Sequence, residues 1–199
     1  MARIARIVVP ELPHHITQRG VRRMDVFFSD DDRTEYIKHL AEQGKRCVVS
    51  FLAWCLMSNH VHLIAVPDSE TSLARGIGEA HRRYTRYVNF REGWRGYLFQ
   101  GRFHSLPLEG SYLLAAVRYV LRNPVRAGIA KEPWDYEWSS AKWSVGETVD
   151  DPLAVQSDML ADITDWRSFL LQEDERVPML RKHARTGRPL GDKPFLEHL

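Results

Sequence analysis

The chain has 199 residues, of which 44% are hydrophobic and 27% are charged, a composition typical of a soluble globular protein with one substantial core. No segment approaches the roughly 18 consecutive apolar residues of a membrane-spanning helix, and the N-terminus lacks the pattern of a signal peptide. Cys47 and Cys55 do not have the Cys-x-x-Cys spacing of a metal-binding pair. These features exclude a membrane protein and predict a cytoplasmic protein with reduced cysteines.

The net charge of +2 is unevenly distributed along the chain. Residues 1–146 contain twenty-one basic and fifteen acidic side chains, whereas residues 147–199 contain seven basic and eleven acidic ones. Seven arginines lie between Arg75 and Arg102, where the acidic residues are Glu79 and Glu92. Arginine suits bidentate contact with phosphate, but charge alone does not distinguish a nucleic-acid surface from a solvated helix face.

Alternation, helical periodicity and turn residues predict the elements in chain order. They are a strand at 14–19, a helix capped by Ser29, strands at 47–57 and 60–66, a helix at 72–89, an extended segment at 97–108 and a helix at 110–123. This order predicts an α+β fold, a ferredoxin-like antiparallel sheet with helices on one face. The linker-like residues 146–152 divide the chain into a domain at 1–146 and a small helical C-terminal extension at 147–199.

The segment NHVHLIAVP gives the clearest local signal for a functional site. On a strand, His60 and His62 point to the same face about 7 Å apart and can hold a divalent ion, leaving positions for substrate oxygens. Histidine-triad hydrolases would continue the alternation at position 64, which is Ile64. One of the first-strand histidines, His14 or His15, can face such a site from a neighbouring strand, although both are expected to be sheet-surface residues.

A phenol that attacks phosphorus needs a rigid element close to the ion and a positive environment. Tyr119 satisfies this on the helix predicted at 110–123, with Asn123 one turn later on the same face and with Arg118, Arg122 and Arg126 nearby. Tyr84 lies among arginines and is the second candidate for the nucleophile, or a residue that stacks on an unpaired base.

Six segments in order, HHITQRG, CLMSNHVHLIAVP, EAHRRYTRYVN, YLFQGRF, AVRYVLRNPVRAG and TGRPLG, resemble the bacterial REP-associated tyrosine transposases. These enzymes belong to the HUH superfamily of single-strand DNA nucleases, and the resemblance covers nearly the whole chain. It implies Tyr119 as the nucleophile, because the nucleophile of this family precedes Asn-Pro by one helical turn. It also implies His60 and His62 as metal ligands with Asn123 as the third, and Mg²⁺ or Mn²⁺ as the ion.

The resemblance implies cleavage of single-stranded DNA beside hairpins of repetitive extragenic palindromes, through a 5′-phosphotyrosine intermediate, in the nucleoid region of the bacterial cytoplasm. It favours a monomer over a dimer that exchanges the tyrosine helix. The candidate DNA-contact residues are Arg19, Arg22, Arg23, Arg82, Arg83, Tyr84, Arg86, Arg102 and Arg122. A hairpin-binding protein without activity and, less favoured, a metal-dependent nucleotide hydrolase are the alternatives.

Overall fold

A computed structural model describes residues 6–186 and 188–197. The first five residues of the predicted domain, Gly187 of the TGRPLG segment and the last two residues of the predicted C-terminal extension lie outside the described residues. Its centre is a four-stranded antiparallel sheet in the order β2-β3-β1-β4. The strands are β1 (His14–Arg19), β2 (Val49–Met57), β3 (His60–Pro67) and β4 (His104–Pro107). With the helices α1 (Asp30–Cys47) and α2 (Ser72–Glu92), the chain order is β-α-β-β-α-β. The predicted ferredoxin-like α+β fold is confirmed.

Helices α1 and α2 pack together on one face of the sheet. Helix α1 begins at a capping box, in which Ser29 and Asp32 satisfy each other's backbone N–H groups, and three acidic residues occupy its first turn. Helix α2 ends where Gly93 adopts a left-handed conformation with φ 65°. The core beneath these helices consists of apolar side chains from both helices and from alternate strand positions, including Ile16, Leu40, Leu63, Ile77 and Tyr84.

The opposite face of the sheet is covered by the helix that carries Tyr119, α3 (Gly110–Leu121). Leu52, Ile64 and Leu106 point to this face and pack with Val117 and Val120. The prediction that all helices lie on one face therefore holds only for α1 and α2. An apolar set of strand residues on each face requires a cover on both sides.

The C-terminal segment contributes to the core on the α3 face, with Leu160, Phe169, Leu170, Leu180 and Leu190. Its helices, and the short ones that precede them, are α4 (Asn123–Arg126), α5 (Ala141–Ser144), α6 (Trp166–Leu171), α7 (Val177–Thr186) and α8 (Lys193–Glu197). Short 3₁₀ turns lie at Val21–Arg23, Pro133–Asp135 and Asp158–Leu160. Among the described residues, none of the helices has the length and apolar character needed to cross a membrane.

Candidate active site

Three histidines from adjacent strands meet on the α3 face of the sheet. His60 and His62 alternate with the core residues Val61 and Leu63, so both imidazoles point away from α1 and α2, with ring centroids 5.0 Å apart. His15 pairs in register with Ile64 and points to the same face. Its Nε2 lies 2.9 Å from Nδ1 of His62. His15 is thus the first-strand histidine that faces the site.

His14 is fully buried on the other face of the sheet, where its Nδ1 lies 2.8 Å from the Leu12 carbonyl oxygen. It has no contact with the histidine cluster in the part of the chain that the structure describes. The expectation that both first-strand histidines are sheet-surface residues is wrong, because Tyr119 of α3 packs against His15 and the N-terminal segment covers His14.

Tyr119 reaches this cluster from α3. Its ring makes edge contacts with both His62 and His15, with centroid distances of 5.6 Å and 5.7 Å. The guanidinium of Arg126 lies 3.8 Å from the centroid of the Tyr119 ring, and that of Arg181 lies 5.9 Å away. The predicted histidine pair and the predicted tyrosine are therefore brought together, and two cations lie beside the phenol.

Asn123 lies just beyond a break in the helix. Helix α3 ends at Leu121, Arg122 leaves helical geometry, and Asn123 begins α4. Pro124 has no N–H to donate back to the carbonyl four residues earlier, and its ring clashes with that turn. The helix predicted at 110–123 is therefore interrupted at Arg122, between Tyr119 and Asn123. The side chain of Asn123 is buried, and its Nδ2 has no hydrogen-bond partner among the described residues.

Burial keeps the imidazoles of the site neutral. It is the largest cause that lowers the pKa of His60 to about 4 and that of His15 to about 3, with smaller contributions from Arg19 and Arg126 at His60 and from Arg126 at His15. The pKa of His62 is also lowered well below its usual value, chiefly by burial. Neutral imidazole is the form that binds a metal ion.

The residues present fit a divalent ion held by few ligands. Nδ1 of His60 contacts Asn59 and Nδ1 of His62 contacts His15, which leaves Nε2 of each ring for an ion. Asn123 is buried, its Nδ2 lacks a hydrogen-bond partner among the described residues, and its Oδ1 is the kind of neutral oxygen that such an ion accepts as a ligand. Among the described residues, no three His, Cys, Asp or Glu side chains are grouped to hold an ion. His15 is accordingly not grouped with His60 and His62 as a third ligand, because its Nε2 contacts Nδ1 of His62.

The prediction that Tyr84 stacks on an unpaired base, or serves as the nucleophile, is wrong. Tyr84 is fully buried beneath the α1 and α2 face, and its hydroxyl donates to the Val26 carbonyl at 2.6 Å. Burial raises the pKa of its phenol. The helical period places position 84 on the inner face of α2, together with Ile77 and Ala80.

The predicted DNA-contact arginines differ in whether they pair with acidic side chains of the protein. Arg122 pairs with Glu173 at 2.9 Å and donates to the Gln172 carbonyl, so it holds the C-terminal segment against α3. Arg82 and Arg83 both pair with Glu79 on their own helix. The remaining predicted arginines are exposed, and they are Arg19, Arg22, Arg23, Arg86 and Arg102.

An exposed surface of mixed aromatic and basic character lies at the end of α2. Arg86, Phe90, Trp94 and Arg95 line one open depression, and the Phe90 side chain is 92% exposed. Two turns before this end, Tyr84 donates to the Val26 carbonyl, and Val26 N–H donates to the Ser58 carbonyl in the turn before His60. Phe90 and Trp94 were not among the DNA-contact candidates from the sequence, although both follow Arg86 at intervals of four residues.

Two further residues of the site were not assigned from the sequence. Arg126 was named only as a flanking cation, whereas its guanidinium lies over the Tyr119 ring. Asn59 was assigned to a turn, whereas its Oδ1 lies 2.6 Å from Nδ1 of His60. The position of this asparagine directly before a His-x-His strand was the sequence feature from which its contact with His60 could have been predicted.

Comparisons with known proteins found one matching family and similar solved structures. A solved structure of a REP-associated tyrosine transposase bound to a REP hairpin matches with a TM-score of 0.61 at 17% identity, covering 79% of this chain and 93% of that one. A putative transposase from Deinococcus radiodurans R1 matches with a TM-score of 0.42 at 18% identity, covering 61% of this chain and 97% of that one. The search of curated proteins found no match. The profile of the IS200-like transposases matches residues 8–123, more than half of the chain, and the chain therefore belongs to the IS200-like transposase family.

Proposed function

We propose that this protein is a metal-dependent single-strand DNA endonuclease and strand transferase in which Tyr119 is the nucleophile. The observation that carries the proposal is the contact of the Tyr119 ring with His62 and His15, beside the paired imidazoles of His60 and His62. Membership of a transposase family supports DNA cleavage and transfer as the reaction class.

In the proposed reaction, the phenolic oxygen of Tyr119 attacks the scissile phosphorus and the 3′-oxygen of the DNA leaves. The products are a 5′-phosphotyrosine bond and a free 3′-hydroxyl, and attack by another 3′-hydroxyl reverses the step and joins strands. Arg126 and Arg181 lie over the phenol ring, where they place positive charge beside the attacking tyrosine.

We assign His60, His62 and Asn123 as ligands of Mg²⁺ or Mn²⁺. A bound ion polarises the phosphate and offsets the charge that develops there. The protein's own contribution is to keep both imidazoles neutral by burial and to occupy their Nδ1 atoms with Asn59 and His15.

Single-stranded DNA beside a hairpin is the proposed substrate, because the matching solved structure is described as bound to a REP hairpin. The exposed Arg19, Arg22, Arg23, Arg86 and Arg102 remain candidates for phosphate contact. Phe90 and Trp94 add aromatic faces beside Arg86, a combination suited to unpaired bases. We further propose that residues 1–146 are the nuclease domain, that residues 147–199 are its tail, and that the protein acts as a monomer.

The test is a covalent adduct assay. The protein is incubated with Mn²⁺ and a labelled DNA hairpin that carries single-stranded flanks, and denaturing electrophoresis separates protein–DNA adducts. The wild type is expected to form the adduct and Tyr119→Phe to form none, because phenylalanine has no nucleophilic oxygen. Tyr97→Phe is the matched control, because Tyr97 is exposed and lies outside the site.

The same assay separates the alternatives. Hairpin binding without an adduct under any metal condition would support a binding protein without activity. An adduct that persists in Tyr119→Phe would assign the nucleophile to another residue. Release of nucleotides without adduct would support the hydrolase, which the buried Ile64 at the position of a third strand histidine already disfavours.

A further inference from the structure

Asn59 makes hydrogen bonds with both ends of its side-chain amide. It lies in the turn between β2 and β3, where its Nδ2 donates to the Arg23 carbonyl at 3.2 Å and its Oδ1 lies 2.6 Å from Nδ1 of His60. A backbone carbonyl only accepts, so the NH₂ group of Asn59 must face Arg23 and the oxygen must face His60. Since an amide oxygen also only accepts, Nδ1 of His60 carries the proton and Nε2 is left with a lone pair.

The carbonyl that orients Asn59 belongs to a strained turn. Arg22 and Arg23 have φ values of 54° and 65°, a left-handed conformation that costs energy in residues other than glycine. At Gly20 a Cβ atom would lie 2.1 Å from the Met24 carbonyl oxygen, so the turn closes too tightly for any side chain there. Strain of this kind persists where surrounding contacts enforce it, and it is concentrated at functional sites.

Backbone hydrogen bonds hold this turn against the turn that carries Asn59. Gly20 N–H donates to the Asn59 carbonyl at 2.9 Å, and Val26 N–H donates to the Ser58 carbonyl at 2.8 Å. Val21 N–H donates to the Leu98 carbonyl, which fixes the turn from its other side. The Arg23 carbonyl and the Asn59 amide therefore have a defined relative position.

The second histidine of the pair differs in this respect. Nδ1 of His62 contacts Nε2 of His15, and either ring nitrogen can be the donor. The geometry therefore determines the proton position on His60 and leaves that on His62 open.

We propose that Asn59 is a positioning residue that fixes His60 in the Nδ1–H tautomer, so that the Nε2 lone pair is available to the divalent ion. The inference rests on the proposed function for the identity of the ion site, whereas the tautomer itself exists without metal. The strained turn from Gly20 to Met24 serves this arrangement by presenting the Arg23 carbonyl to Asn59.

The test begins with metal-free protein labelled with ¹⁵N at histidine. Long-range ¹H–¹⁵N correlation spectra at neutral pH distinguish the two imidazole tautomers, and the His60 signals are assigned by their loss in His60→Gln. The wild type is expected to show His60 as Nδ1–H. A wild-type His60 in the Nε2–H form overturns the proposal, and this result needs no variant to fold.

Three variants then test the role of Asn59. Asn59→Leu has similar volume and no acceptor, so His60 is expected to lose its single Nδ1–H form and Mn²⁺ affinity to fall by about 10- to 100-fold. Asn59→Asp keeps an acceptor and is expected to retain the tautomer. Asn89→Leu is the matched control, because Asn89 lies on α2, away from the histidines, and its amide donates to the carbonyl of Gly96 in the loop after the helix.

Retention of both the Nδ1–H form and full Mn²⁺ affinity in Asn59→Leu overturns the positioning role. Failure of the wild type to bind Mn²⁺ contradicts the proposed nuclease instead, because the tautomer is read without metal. The two failures are therefore distinguishable in one set of samples.

Discussion

The guanidinium of Arg126 is the cation nearest to the proposed nucleophile, 3.8 Å from the centroid of the Tyr119 ring, and its Nη1 donates to the Tyr119 carbonyl at 3.0 Å. The first contact places positive charge where a phenolate would form. The second satisfies a carbonyl close to the break in the helix before Asn123. The Arg126 side chain thus places a positive charge over the Tyr119 ring and also holds the backbone at Tyr119.

Replacing Arg126 tests this role at the scale of one residue. Arg126→Gln is expected to slow adduct formation by about 10-fold, or ~1.4 kcal/mol, because the positive charge beside the attacking tyrosine is lost. Single-turnover rates of adduct formation at saturating Mn²⁺ measure the effect. Arg46→Gln, an exposed arginine at the far end of α1, is the control. An unchanged rate for Arg126→Gln would show that its charge does not act on Tyr119.

At the scale of elements, α3 both carries Tyr119 and anchors the C-terminal segment. Buried Arg118 donates from Nε to the Phe169 carbonyl at 2.7 Å and from Nη1 to Asp174 at 2.5 Å. One turn later, Arg122 pairs with Glu173, whose side chain is 91% exposed. Arg118 on α3 and Arg122 directly after α3 thus contact the same segment from very different environments.

This difference predicts unequal effects on stability. Arg118→Leu is expected to lower the free energy of unfolding by about 3 kcal/mol, because the buried Asp174 carboxylate loses one of the two arginines that pair with it among the described residues. Arg122→Leu should cost at most about 1 kcal/mol, because its ion-pair partner is in solvent. Urea unfolding of the two variants measures both values. Equal losses would mean that burial of the Arg118 ion pair does not decide the stability of the tail.

For the whole molecule, periodicity and turn signals were sufficient to predict the sheet and its helices, because alternation and capping are local properties. The pair His60 and His62 was predictable for the same reason. The cover of α3 on the second face, and with it the contact of His15 with Tyr119, depends on strand order and long-range packing. Sequence spacing contains no direct information on either, and it placed the fully buried Tyr84 among exposed arginines.

The number of buried neutral histidines predicts how the stability of the metal-free protein depends on pH. Burial is the main cause that lowers the pKa of His14 to about 4 and those of His15 and His81 to about 3. Above about pH 6.5 these rings are neutral in both the folded and the unfolded chain. As the pH falls below that value, the unfolded chain takes up protons that the folded chain cannot, so the free energy of unfolding decreases. The decrease is up to ~1.4 kcal/mol per pH unit for each such histidine, until the folded-state pKa is reached.

His81 offers the cleanest test, because it lies on the α1 and α2 face, away from the candidate active site, with its Nε2 2.8 Å from the hydroxyl of Tyr36. Urea titrations between pH 6 and pH 4 should show a stability slope that is smaller in His81→Gln than in the wild type by up to ~1.4 kcal/mol per pH unit. Glutamine can still accept a hydrogen bond from Tyr36 and does not titrate. Any loss of stability that the substitution itself causes is therefore the same at every pH and is distinguished from a change in slope. An unchanged slope would mean that His81 is protonated in the folded protein. The rings of Phe99 and Phe103 make that protonation unfavourable, because they exclude water from the imidazole and offer no negative charge.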